Sequence, residues 1–172
     1  MPSTYVLLSS TTLSTAATGV TFSSIPSTYT DLVLRASVRG TDAGNNSPFR
    51  LKINADTGNN YSRTRLYYYD GTVYSNRASN EADNIDTSFF NLSSTTANNF
   101  SNIEVYIPNY LSTTSKPIGG SGVLENDAST SIVSAHAVLY RNSSAITSLE
   151  FFTNSGNFVA TSSFYLYGIK NS

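Results

Sequence analysis

The sequence predicts an all-β protein, an antiparallel sandwich or barrel built as one domain over residues 1–172. Three observations predict it. Apolar residues recur at period two along most of the chain, and helical periodicity is nearly absent. The alternating runs are short and bounded by clusters of Gly, Asn, Asp and Ser, which gives about eight to ten strands. At 172 residues the chain is long enough to bury roughly 70% of its unfolded surface without staples, and its 12 Tyr and 9 Phe supply a core that a disordered chain lacks.

The elements follow in order. "DLVLRASVRG" alternates Leu32, Leu34, Ala36 and Val38 against Val33, Arg35, Ser37 and Arg39. "FRLKINADTGNNYSRTRLYYYDG" reads as a hairpin with Phe49, Leu51 and Ile53 inward and a turn over Asp56-Thr57-Gly58-Asn59-Asn60. Residues 75 to 100 are polar around Phe89-Phe90, and read as a long loop holding one strand. "SNIEVYIPNY" sets Ile103, Val105 and Ile107 against Asn102, Glu104 and Tyr106, and Pro108 ends it. "KPIGGSGVLEND" reads as a glycine-bent strand suited to a corner or bulge. "SIVSAHAVLYRN" and "AITSLEFFTNSGNF" continue the alternation, the second closed by Asn154-Ser155-Gly156-Asn157.

Two segments break the usual division into an apolar and a polar face. In "SFYLYGI", Phe164, Leu166 and Gly168 share one side while Tyr165, Tyr167 and Ile169 share the other. "RLYYYDG" does the same, with Leu66 and Tyr68 opposite Tyr67 and Tyr69. Tyrosine is large, stiff and amphipathic, which suits a protein interface or the face of a sugar ring. Tyr67, Tyr69, Tyr165, Tyr167 and Ile169 are therefore the candidate interface residues; tyrosines that cover the core edge with hydroxyls in water are the bland alternative.

Composition excludes several functions. Charged residues make up 12% of the chain and the net charge is −1, which fits neither a nucleic-acid footprint nor a polybasic membrane patch. Without cysteine there is no disulfide or thiolate metal site. The run Val6-Leu7-Leu8 is short for a signal peptide, and no apolar stretch reaches the length of a membrane helix, so a product made and kept in the cytoplasm, or assembled there into something larger, is expected. His136, the single histidine, reads as a strand residue with a local hydrogen bond. Glu104 and Glu150 are the acids that a glycosidase would need in one cleft, and mid-strand glutamates are more often solvated. Asn54, Asp56 and Asn59 could ligate calcium, but the spacing is that of a turn. No catalytic residue, cofactor or metal is expected.

Four stretches together resemble a family of tailed-phage virion proteins. They are "YVLLSSTTLSTAATGVTFSSIPSTYTDLVL", "LKINADTGNNYS", "IPNYLSTTSKP" and "AITSLEFFTNSGNFVATSSFYLYGI". Ala55 stands where that family usually has glycine, and Ala160-Thr161 where an Ala-Gly or Ser-Gly pair is common. The resemblance implies an antiparallel jelly-roll-like β-sandwich and an accessory structural role. The expected function is that of a capsid decoration (cement) protein, bound to the outer capsid surface of the virion and clamping neighbouring major capsid protein subunits. It would act as a homo-oligomer, a trimer by preference, with no nucleic-acid or membrane partner. A tail-fibre or baseplate module binding host carbohydrate is the alternative, and a depolymerase a third reading.

Overall fold

A computed structural model describes residues 4–126 and 130–170. The chain forms twelve strands rather than eight to ten: β1 (Tyr5–Thr12), β2 (Gly19–Phe22), β3 (Asp31–Val38), β4 (Asn46–Ile53), β5 (Tyr61–Tyr69), β6 (Thr72–Glu81), β7 (Ile85–Asn91), β8 (Ser101–Ile107), β9 (Lys116–Glu125), β10 (Ser131–Tyr140), β11 (Leu149–Thr153) and β12 (Ser163–Ile169). They make an eight-stranded sheet in the order β1-β12-β3-β8-β9-β10-β5-β6 and a four-stranded sheet in the order β2-β11-β4-β7. All pairings between these strands are antiparallel. Strand β3 pairs with β12, β4 with β11 and β5 with β10, so nested pairs alternate between the sheets as the chain wraps in a jelly-roll-like sandwich.

The core lies between the sheets. From the large sheet come Leu32, Leu34, Ile103, Val105, Ile118, Val138, Phe164 and Leu166, and the small sheet adds Phe22, Phe49, Leu51, Phe90 and Phe151. Phe49 is its hub, in ring contact with Phe90, Phe151, Phe158 and Phe164 at 5.5 to 6.4 Å between centroids. Burying a side chain of this size is worth about 1.5–3 kcal/mol before any aromatic geometry is added.

Three expectations need correction. Strands β4 and β5 form no hairpin: β4 belongs to the small sheet and β5 to the large one, and residues 54–60 carry the chain around the corner between them. Asn54 and Ala55 take φ of 53° and 52° there, and the side chain of Asp56 ties the corner down. Its Oδ1 accepts the Gly58 N–H, while Oδ2 accepts from Asn60, Tyr140 and Asn142. Burial pushes this carboxyl up, but those hydrogen bonds outweigh it and hold Asp56 below the ordinary aspartate range.

The polar segment 75–100 holds most of β6 and all of β7. Periodicity missed β6 because it is an edge strand exposed on both faces. The β5–β6 hairpin is closed by Asp70-Gly71, both at positive φ as a type I′ turn requires. Finally, β9 is no corner but a regular strand between β8 and β10. Its glycines provide clearance: a Cβ on Gly122 would lie 1.7 Å from Ser88 Oγ, and one on Gly120 would lie 2.6 Å from His136 Nε2.

Candidate functional site

The small sheet covers one face of the large sheet and leaves the other open. Strand registers turn that outer face into a grid. One row runs Val123–Val133–Tyr68–Val73 across β9, β10, β5 and β6. The next runs Ser121–Ala135–Leu66–Ser75, and the third Gly119–Ala137–Thr64–Arg77. Val73 is 67% exposed, Val133 57%, Leu66 54% and Val123 46%. Single exposed apolar residues mean little, but these form a contiguous exposed patch in register across four strands.

At the other end of this face, β1 and β12 present Tyr5, Leu7, Tyr165 and Tyr167. Tyr5 meets Tyr167 edge-on at 6.3 Å, with the Arg35 guanidinium 5.9 Å from the Tyr5 ring centre. Between the two apolar regions runs a polar band, where Arg35 Nε donates to Glu104 Oε2 at 3.0 Å. Beside that pair is an open depression of about 330 Å³ edged by Asn102, Ser121 and Val123. Val33 is buried on this face between its register partners Tyr106 and Tyr167. The Tyr106 hydroxyl donates to Asp31 Oδ2 at 2.9 Å, and this bond to a carboxylate, with burial, raises the Tyr106 pKa.

The five candidate residues divide between surfaces. Tyr165 and Tyr167 lie on the outer face. Ile169 shares their side but is only 6% exposed, held in register between Asp31 and Tyr5, so it belongs to the fold rather than to a surface. Tyr67 and Tyr69 point to the inner side, at the overhang where the large sheet extends past β7. Tyr67 stacks on Tyr74 at 5.3 Å and packs against Phe89 at 5.2 Å, and Tyr69 meets Tyr74 edge-on. Beside this aromatic ledge the Arg63 guanidinium donates to Asn76 Oδ1, and its Nη2 lies 3.5 Å from Asp86 Oδ2.

Sequence reasoning missed Leu66, Tyr68, Val73, Val123 and Val133. Each looked like an ordinary strand residue, and only the pairing register joins them. It also missed Arg39, whose buried guanidinium donates to Thr95 Oγ1 and to the carbonyls of Ser93, Thr95, Thr96 and Asn99. These bonds fix the loop that follows β7.

Of the other candidates, Glu104 and Glu150 lie on the outer faces of opposite sheets with the core between them, so one cleft cannot hold both. His136 does not make the expected local hydrogen bond: it is buried between Gly120 and Arg65 in register, with both ring nitrogens unpartnered. Burial, then the nearby Arg65 cation, pushes it down to about 4. Asn54 and Asp56 serve the corner at 54–60, with Asn54 donating to Ala145 O at 2.8 Å. Among the described residues no group of three or more His, Cys, Asp or Glu is placed to hold a metal ion, and no helix is long and apolar enough to cross a membrane.

No family model matches the sequence, and no curated protein matches it either. Among solved structures the chain is similar to galectin LEC-6 of Caenorhabditis elegans, at 13% identity and a TM-score of 0.39, over 95% of each chain. It is also similar to Scytalido-glutamic peptidase, at 17% identity and a TM-score of 0.29, over 91% of this chain and 66% of that one. Neither likeness is close enough to carry a function to this protein.

Proposed function

We propose that this protein is an accessory structural component of a tailed-phage particle that works by adhesion through the outer face of its eight-stranded sheet. One observation carries the reading. That face is left open by the chain's own second sheet, yet it is apolar at both ends: Val123, Val133, Leu66, Tyr68 and Val73 at one, Tyr5, Leu7, Tyr165 and Tyr167 at the other. A sheet face bound for water carries polar side chains. Apolar and aromatic residues with few charges are the composition of an interface core.

The setting comes from the sequence resemblance: a decoration protein on the outer capsid surface, gripping major capsid protein subunits. The aromatic patch at β1 and β12 is the surface assigned to the shell. Gel quantitation of purified particles against the major capsid protein tests it. A copy number comparable with that of the shell subunit supports decoration; a few copies per particle place the protein in the tail, and none removes it from the particle.

A second reading, a tail-fibre or baseplate module that binds host carbohydrate, has one observation in its favour. The ledge of Tyr67, Tyr69 and Tyr74 lies beside the Arg63–Asn76 pair, which sets aromatic faces next to amide and guanidinium donors. Binding on a glycan array that is lost in Tyr74→Ala would favour this reading over the first.

A further inference from the structure

We propose that the β9–β10–β5–β6 half of the outer face pairs with the same half of a second copy, about a twofold axis running parallel to the strands between β10 and β5. This rests on the adhesive reading of that face and names one of its partners.

The grid selects the axis. Face-to-face sheets sit about 10 Å apart. Rotation about an axis between β10 and β5 sets β5 over the partner copy's β10 and β6 over its β9, each row over itself. Val73 then meets Val123, and Tyr68 meets Val133. Leu66 lies over Ala135, a large residue over a small one. Arg77 lies over Gly119, where an added Cβ would have no atom within 4 Å. A twofold axis perpendicular to the strands does worse: at the middle of the grid it lays Tyr68 over Ser62 and Val73 over Ser79, and at the apolar row it pairs that row with itself but slides Leu66 over Asp70 in the β5–β6 turn and loses the rest of the face.

Charge and area agree with that choice. Within the strands of this half of the face the charged residues are Arg77, on β6, and Glu125, at the end of β9, with Asp70 flanking them in the β5–β6 turn and Arg141 just past β10. In the proposed pair Arg77 comes beside Glu104 of the second copy, one strand over and one row away, and joins a carboxylate already bound to Arg35. Repulsion between copies is small at a net charge of −1. Six apolar side chains, Val73, Val133, Leu66, Val123, Tyr68 and Leu139, are each about half exposed. At about 150 Å² for a fully exposed side chain of this size they present roughly 450 Å². The surrounding Ser, Thr and Ala bring the face near the roughly 800 Å² that a standard interface takes from each partner. The contact is isologous, and so closes at two copies.

Light scattering on the full chain at about 10 μM, a concentration at which a standard-size interface is occupied, tests the proposal. The expected mass is twice that of the chain. Val133→Glu should give a monomer. Arg77→Glu, a change at an exposed side chain that leaves the fold intact, should weaken the dimer about tenfold. Tyr165→Glu, at the far end of the face, should leave the dimer unchanged. A monomeric or trimeric wild type overturns the proposal, as does a dimer that survives both Val133→Glu and Arg77→Glu. The adhesive reading is judged separately. A monomeric variant that still attaches to particles leaves that reading standing, and a wild type that dimerises without attaching overturns that reading alone.

Discussion

Arg65 and His136 are cross-strand partners on β5 and β10, both buried between the sheets, and neither side chain makes a hydrogen bond among the described residues. The Arg65 guanidinium lies 4.0 Å from the centre of the Phe89 ring and 5.3 Å from that of Tyr67. Burial first, then Arg63, lowers its pKa to about 10, and it keeps its charge at neutral pH. Five buried polar atoms of the Arg63, Arg65 and His136 side chains lack a hydrogen-bond partner among the described residues. The seam where β7 covers β5 and β10 is therefore the least satisfied part of the interior.

Acid should weaken the fold through His136 before the carboxylates respond. The folded pKa is about 4, below the ordinary 6.5 of the unfolded chain. Between those values the unfolded state binds a proton that the folded state refuses, so stability is full above pH 6.5 and falls as pH drops toward 4. The integrated loss is about 3 kcal/mol. Urea unfolding at pH 7 and pH 4.5 measures it, and His136→Leu should flatten the difference. Asp56, held below its ordinary range, loses its contribution at still lower pH.

Two residues occupy backbone conformations that suit glycine. Ala55 has φ of 52° and Thr161 has φ of 70°. A side chain in the left-handed region costs about 1–2 kcal/mol, more for a branched one. Ala55→Gly and Thr161→Gly should each stabilise the protein by about 1 kcal/mol in urea titration, less the entropy that glycine adds to the unfolded chain.

The glycines of β9 should divide by face. Gly122→Ala and Gly120→Ala both drive a Cβ into the inner face, the first into Ser88 and the second into Glu104 O and His136. Each should cost about 1–3 kcal/mol. Gly119→Ala meets nothing and should be neutral or slightly stabilising. Thermal unfolding of the three variants separates them.

Arg39→Ala should release the loop after β7, because five acceptor contacts are lost together. A loss of about 3 kcal/mol is expected where a buried charge-assisted network is broken. Hydrogen exchange should quicken at Ser93, Ser94 and Thr95, whose amides bond Asp42, Gly44 and Leu92.

Much of the fold was legible because alternation reports which side of a strand is buried. The inward sets of β3, β4, β8, β10 and β12 follow directly from it. What failed was information that alternation lacks. Nothing local says that β4 and β5 enter different sheets, since a corner and a hairpin use the same Asp, Gly and Asn residues. β6 carries no apolar face because nothing in the chain covers it. The two-faced character of the segments at Tyr67–Tyr69 and Tyr165–Tyr167 was also legible from alternation alone. However, the most exposed row, Val123–Val133–Tyr68–Val73, comes from four strands and exists only in the register.

Hydroxyl-radical footprinting of the protein free and mixed with the phage particle proposed as its partner tests the central claim most directly. The account predicts that Tyr165 and Tyr167 lose labelling on assembly while the outer side of the four-stranded sheet, at Glu150 and Phe152, keeps it. Equal labelling of those outer-face residues in both states, with protection at Glu150 and Phe152 instead, would contradict it.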